Sequence, residues 1–599
     1  MIKLFSRMNR TDKGLLLFSV VFVVLQVYFD MRIPEFLSEA LKVANNSSAS
    51  LEQGVVQIRQ VAVHMALCVL VSFILSAISS VIIAKAVMNF VTKIRSDIFE
   101  KVQSLSVPDV DKFTVHGLIT RSTSDVMNIQ TFILIGFQAL VKAPIISVWA
   151  LVKIGAYGVS WQLAVLVSLI VVSLFIIIAL MIEAPQIRLV QKGKDSLNKS
   201  VMEKLSGTDV VRAYNAENHL IHKFESINNS LADALKKSQI PSATVMPGIN
   251  LTLYLVTIAI YVIAINQINS GQVADQLATV SDIVAFIPYT AQLLLAFILV
   301  VQVMMLYQGA RVSSKRIDEV LSSKVSITDP DNISKTSENK DNIGVIEFKN
   351  VNFGYKGSDT SFINNISFRC EGGSTTAIIG AIGSGKTTMI NLLMRYYDVD
   401  SGEILVDGIN VKDYSLKDLR DKISLTAQKA LLFTGTIEEN IHFGNDEKSS
   451  PYELSYICDT AGAKDFIEEN EKKYKAQVLK KGTNFSGGQR QRLSIARCLS
   501  KPCEILVFDD SFSALDFKTE RIVRKKIMDR FRGVTKIIIS QRINTIQDAD
   551  QIIVMNNGSI VGIGRHAELM ENCRDYQEIY ASQNKDESLA SAVKEECHA

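Results

Sequence analysis

Eight consecutive residues, Gly380-Ala381-Ile382-Gly383-Ser384-Gly385-Lys386-Thr387, carry the clearest chemistry in the chain. They follow an apolar strand-like run, Thr376–Gly380, and open a helix-compatible stretch from Lys386. In that strand–loop–helix setting the spacing is a phosphate-binding loop. Gly380, Gly383 and Gly385 let backbone N–H groups face phosphate oxygens, and the helix N-terminus adds partial positive charge. Lys386 is placed to reach the β- and γ-phosphates, Thr387 to offer a hydroxyl to Mg2+, and Thr388 to add a further nucleotide contact. Far downstream a second apolar run, Ile505–Phe508, ends in Asp509, the residue type that holds the metal, usually through water. These residues predict a site for ATP and Mg2+.

The elements that must position this site belong to only part of the molecule. A chain of 599 residues is too long for one domain. Its 48% hydrophobic content averages over two halves of opposite character. Up to about Tyr307 the sequence is a series of apolar runs; after about Ser322 it reads as a soluble α/β domain. Six runs meet or approach the roughly 20 residues needed to cross a bilayer: Gly14–Pro34, Val61–Ala84, Thr131–Gly158, Val159–Ile182, Val245–Asn266 and Ile283–Tyr307. The first continues into Asp30-Met31-Arg32-Ile33-Pro34 without a small-residue cleavage site and reads as a retained membrane helix.

Basic residues set the expected orientation. Lys85, Lys93, Arg95, Lys101, Lys112 and Arg121 lie between the second and third runs, and a second basic group, Arg188 to Lys237, lies between the fourth and fifth. The third–fourth and fifth–sixth connections carry no Lys or Arg, so both termini are predicted to be cytoplasmic. Asn45-Asn46-Ser47, in the expected outer loop, matches a glycosylation sequon and reads as ordinary polar loop. The two basic segments are long and helix-compatible, which implies membrane helices projecting into the cytoplasm; about 20 extra residues add roughly 30 Å. Within the membrane runs, Lys153 is expected to snorkel toward the outer headgroups. Lys142 sits near mid-helix, facing either a cavity or a partner. On the sixth run Phe286, Tyr289, Gln292, Gln302, Met304 and Met305 suggest a permissive apolar pathway, against the plainer reading of helix packing.

A net charge of +3 gives no bulk attraction for nucleic acid, and no nucleic-acid partner is expected. Seven scattered cysteines with no Cys-x-x-Cys pair read as reduced thiols rather than a disulfide or metal framework.

With the loop, Asp509 and Phe485-Ser486-Gly487-Gly488-Gln489 in view, the soluble half resembles the nucleotide-binding domain of an ABC transporter. The chain over roughly 1–585 resembles a half-transporter of the six-helix exporter type. Gly117–Arg121 through Val126, and Glu203 through Tyr214, are similar to that family's cytoplasmic segments. The implied fold is multidomain: an all-α polytopic transmembrane domain at 1–321, a linker at 322–342, an α/β P-loop ABC ATPase domain at 343–585 and a polar tail at 586–599. The resemblance also implies roles. Tyr355 stacks on adenine, and Gln428 senses the metal and the attacking water. Ser486, Gly487, Gly488 and Gln489 cover the γ-phosphate of ATP on a second, head-to-tail domain, and Asp516 runs along that interface.

This chain departs from the family at the hydrolytic positions. Asp510 stands where the family has a glutamate base, and Gln541 where it has a switch histidine. Leu479-Lys480-Lys481-Gly482 replaces an acidic approach to the signature and reads as solvated surface. The pattern resembles the substituted subunit of heterodimeric bacterial multidrug exporters. It implies a multi-pass protein of a bacterial plasma membrane, paired with a second half-transporter, whose cargo is a hydrophobic or amphipathic small molecule. Lipid or peptide export, a slow homodimer working through Asp510, and a regulatory ATP-binding subunit are the competing expectations.

Overall fold

The computed structural model describes residues 2–44, 51–270, 276–330, 342–355, 361–445 and 450–583. The sequon at Asn45, most of the linker and the polar tail lie outside the described residues. The chain folds as two compact units, Met1–Gln103 with Val115–Ser323, and Ser104–Thr114 with Lys324–Ala599. The short stretch 104–114 therefore packs with the second unit, although the sequence places it between membrane helices.

The first unit is built on long helices: Arg10–Ala44, Leu51–Ser104, Ser124–Gly155, Val159–Ser206, Glu217–Asn269 and Gln276–Leu321. All six are long and apolar enough to cross a membrane. Five contain an expected apolar run whole, while the third ends at Gly155, three residues short of its run, because Ala156–Gly158 turn into the fourth helix. Most extend well past the run, because a helix continues as long as its backbone hydrogen bonds are satisfied, whatever the polarity of its side chains. The third packs along the sixth and the fourth along the fifth. At the fourth–fifth contact a Cβ on Gly248 would lie 2.6 Å from the Phe175 ring, so glycine permits the close approach. Leu163, Leu166, Ile170, Leu174 and Ile177 of the fourth helix are exposed, as a lipid-facing stripe requires.

The polar residues of this unit are mostly partnered. Lys153 Nζ lies 2.6 Å from Glu35 Oε1, and Arg32 reaches the other carboxylate oxygen at 2.8 Å. Lys153 thus tethers the third helix to the first instead of only reaching for headgroups. Lys142 has Asp30 as its opposite charge, and Asp30 also accepts from Ser72 and from Gln26. Phe286 and Tyr289 follow the packing reading rather than the pathway one, since both are fully buried. Phe286 packs edge-on against Trp161 and Tyr157, and the Tyr289 hydroxyl donates to the Met31 carbonyl at 3.3 Å. Met304 and Met305 remain exposed.

The second unit has a six-stranded sheet ordered Ser559–Gly564, Gln551–Asn556, Thr375–Gly380, Thr535–Ile539, Ile505–Asp509, Ile423–Thr426. All neighbours in it are parallel except the first pair. Its inner strands are buried on both faces, which explains their unbroken apolar sequence. Alternate residues feed two cores, Ala377 and Ile379 one and Ile378 the other. A smaller antiparallel sheet pairs Ile346–Phe353 with Ile363–Cys370 and with Ser401–Val406. Cys370, Cys458, Cys498 and Cys573 are buried free thiols. Burial pushes the Cys370 and Cys458 thiols up to about 12, which suits packing rather than reactivity.

Lys422 and Glu504 immediately precede two paired strands, where Ile423 stands opposite Ile505. Lys422 Nζ lies 2.7 Å from both Asp407 and Glu504, so it separates two carboxylates that would otherwise face each other. Lys422→Met should cost about 3–5 kcal/mol, because it strands buried charge. A lower unfolding midpoint of the whole protein in detergent, largely restored in Lys422→Arg, is the expected result.

Candidate nucleotide site

Parallel pairing brings the candidate residues to one edge. Ile539 stands opposite Ile378 on one side and Asp509 on the other. The residues that follow these three are the phosphate loop, Asp510 and Gln541, so they emerge together at the carboxyl ends of the strands, where open α/β sheets bind ligands.

The loop is shaped by close contacts. A Cβ on Gly380 would lie 2.2 Å from the Met555 carbonyl oxygen, and one on Gly385 (φ 102°) would lie 2.5 Å from Ile363. Lys386 is buried and its Nζ donates to the carbonyls of Gly380 and Ala381 at 2.8 Å each. Burial holds its pKa below the ordinary lysine value, against the charges of Asp510 and Asp509. Thr387 Oγ1 lies 3.2 Å from Asp509 Oδ1 across 122 residues of sequence. Two hard oxygen donors converging next to a phosphate loop fit a Mg2+ ion. Burial raises the Asp509 pKa, and the charge of Asp510 adds to this, opposed by the Thr387 hydrogen bond and Lys386.

Asp510 adopts φ 47°, a left-handed conformation that aspartate tolerates better than most residues. Its N–H donates to the Ile539 carbonyl at 3.0 Å, its own carbonyl accepts from Ser513 Oγ at 2.8 Å, and Ser513 and Gln428 act on its carboxylate as hydrogen-bonding neighbours. Gln428, two residues past the strand Ile423–Thr426, is thereby brought to Asp510. Burial pushes the Asp510 pKa up, while Ser513, Gln428, Lys386 and Arg542 oppose the shift. Gln541 follows the central strand and is exposed. Arg542 was not singled out from sequence, yet its guanidinium lies 3.3 Å from Glu520, donates to Ser513 O at 3.2 Å and sits over the Phe517 ring. Its adjacency to Gln541 was the one available signal.

Tyr355 borders a separate pocket. Its hydroxyl lies 3.0 Å from Thr388 Oγ1, which joins it to the helix that leaves the phosphate loop. Its ring packs edge-on against Phe353 and Tyr397. A cavity of 710 Å3 is lined here by Tyr355, Tyr397, Asp400, Ser326, Asp111 and Lys112, the last two from the 104–114 stretch. That stretch is held by Asp109, whose carboxylate accepts from the Ser326 N–H at 3.0 Å.

The signature residues form a helix cap. Ser486 Oγ accepts from Gln489 N at 3.2 Å, and Gln489 Oε1 accepts from Ser486 N at 2.9 Å, opening the helix Gly487–Ser500. Ser486 and Gly487 are exposed, and a Cβ on Gly487 would meet nothing within 4 Å. Gly488 faces the Ala514 carbonyl, and Asp516 caps the next helix by accepting from Thr519 N at 2.9 Å. That hydrogen bond holds the Asp516 carboxyl below the usual range. Lys480 and Lys481 are exposed, as expected.

Comparison with known proteins agrees with this geometry. Residues 16–309 match the ABC transporter transmembrane region and residues 363–513 the ABC transporter family domain. The putative ABC transporter ATP-binding protein MG014 of Mycoplasma genitalium is 31% identical over 96% of this chain and 97% of its own length. The ATP-dependent lipid A-core flippase of Photobacterium profundum is 30% identical over 83% of each chain. A bacterial Atm1-family ABC exporter solved with ATP bound superposes with a TM-score of 0.80 at 22% identity, covering 96% of this chain and 99% of that one, and so shares its fold. The chain belongs to the ABC transporter family. It is a multi-pass membrane half-transporter that carries its own ABC ATPase domain.

Gly380→Ala should displace the phosphate loop, because the new methyl group meets a backbone oxygen that cannot swing away. Photolabelling of this chain with an azido-adenine nucleotide should fall at least about tenfold, with membrane insertion unchanged.

Proposed function

We propose that this chain is one half of a heterodimeric exporter, holding ATP at a site slow to hydrolyse and lending its signature to the active site of a partner. The observation that carries the reading is a complete binding apparatus set beside altered hydrolytic positions. Lys386, Thr387 and Asp509 stand together, while the base position is Asp510 and the switch position is Gln541.

Lys386 and the loop N–H groups bind the phosphates, and Tyr355 takes the adenine. Thr387 and Asp509 would hold Mg2+, with Gln428 nearby; the ion, when bound, offsets phosphate charge. Asp510 is one methylene shorter than glutamate, and a displacement of about 1–1.5 Å from the working position costs on the order of 10²-fold in rate. Gln541 can hydrogen-bond to a phosphate oxygen but cannot carry positive charge or relay a proton. Losing such a positioned contact costs roughly another 10²-fold. The exposed cap of Ser486, Gly487, Gly488 and Gln489, with Asp516 beside it, is available to cover ATP on a partner domain.

The cargo is a hydrophobic or amphipathic compound of the multidrug type, taken from the cytoplasm or inner leaflet, with both termini cytoplasmic as the basic loops imply. A cavity of 1220 Å3 on the membrane unit supports this, lined by Phe132, Met304 and Tyr307 together with Arg311, Lys315 and Asp318. The basic residues in that lining, together with a relative named as a lipid A-core flippase, favour a lipid as the second reading.

Mass spectrometry of the complex isolated through this chain tests the pairing. A stoichiometric second half-transporter with glutamate and histidine at the corresponding positions is expected, and copies of this chain alone would sink the heterodimer. The double substitution Asp510→Glu with Gln541→His should raise turnover at this chain's own site by about 10²-fold or more. No gain would reject the view that these two residues limit hydrolysis.

A further inference from the structure

The loop that carries Gln541 is held by a residue more than forty positions away. Residues 574–583 form a helix anchored by Tyr576, which is fully buried and whose hydroxyl lies 2.7 Å from His566 Nδ1. Ile579 and Tyr580 pack against the core that lies under the central sheet. One turn later Gln583 reaches the switch loop with both ends of its amide. Its Nε2 donates to the Gln541 carbonyl at 2.7 Å, and its Oε1 accepts from the Ile543 N–H at 2.9 Å.

The other side of the loop is fixed independently. Ser540 N–H donates to the Ile378 carbonyl at 3.2 Å, and Arg542 N–H donates to Ser540 Oγ at 2.9 Å. The Arg542 guanidinium is held by Ser513 and Glu520. None of these bonds restrains the Gln541 carbonyl. Among the described residues, that carbonyl has its hydrogen bond from Gln583, and the amide bridges the backbone on both sides of Arg542 much as a neighbouring strand would.

We propose that Gln583 is a positioning residue for Gln541, fixing the peptide that aims the switch side chain, so that the C-terminal helix is a working part of the ATP site. Gln583 bonds to the backbone of the switch loop and acts through Gln541. The inference rests on the reading that Gln541 faces the γ-phosphate.

The test uses the full complex isolated through this chain. Gln583→Met keeps the length and packing of the side chain but removes both hydrogen bonds. Hydrogen exchange at the Ile543 amide should quicken by about tenfold, the loss of one protecting bond, with exchange in the phosphate loop unchanged. The preference of this chain's site for ATP over ADP, read by competition against azido-adenine photolabelling, should fall severalfold. Gln583→Glu keeps the acceptor for Ile543 and loses the donor to Gln541, so it should preserve slow exchange at Ile543 and still lose the preference.

Unchanged exchange in Gln583→Met overturns the brace. Faster exchange with an unchanged ATP preference overturns the positioning role. Gln541→Ala separates the two readings. If that variant keeps the full preference, the switch reading is wrong and the positioning proposal falls with it. A loss in Gln541→Ala but not in Gln583→Met overturns the positioning alone.

Discussion

Strand register is the constraint on which the nucleotide unit depends. Ile378, Ile539 and Asp509 lie in one row across three parallel strands, and each is followed within one to three residues by a group of the candidate site. A slip of one residue would exchange the two faces of a strand. Here both faces are apolar, so polarity alone would not oppose the slip. Complementary shapes on the two faces supply the opposition, since Ile378 and Ile379 enter different cores. The ion pairs just ahead of Ile423 and Ile505 pin the opposite ends of two strands. The chemistry at the carboxyl edge is thus specified by packing in the interior and by charge at the far end.

The membrane unit answers to another solvent. Its helices expose leucine and isoleucine because lipid, not water, surrounds them, and hold Lys153 and Arg32 against Glu35 because an unpaired charge is costly there. Lys153, Glu35 and Arg32 join two helices near one end of the unit. Phe286, Trp161 and Tyr157 bind three segments through ring contacts. Close helix packing at Gly248 and the prolines inside several helices are consistent with a structure in which neighbours, rather than water, complete the backbone's hydrogen bonding.

Much of this was legible in the sequence, for identifiable reasons. The phosphate loop is a local pattern, and its geometry follows from glycine spacing. The meeting of Thr387 with Asp509 is long-range but announced by two motifs. The six membrane helices were visible from their apolar cores, yet their lengths were not. The run Val61–Ala84 lies inside a helix from Leu51 to Ser104, and its polar extensions carry no transfer signal. Phe286 and Tyr289 were left between pathway and packing because helical spacing does not say which face meets a neighbour. Gln583 gave no signal at all: a glutamine bonding to backbone has no spacing to detect, and Arg542 stood out only by its place beside Gln541.

The stretch 104–114 belongs by packing to the nucleotide unit and by sequence to the helical one. Asp111 and Lys112 stand in the wall of the cavity beside Tyr355, and Asp109 fastens that wall to Ser326. The soluble unit is therefore discontinuous, and no single cut in the gene releases it whole. A recombinant ATPase fragment beginning after the linker would present Tyr355 to solvent on a side that the intact protein closes. Any ligand affinity measured beside Tyr355 on such a fragment would describe a different pocket, and a graft of 104–114 onto it would be needed to recover the native one.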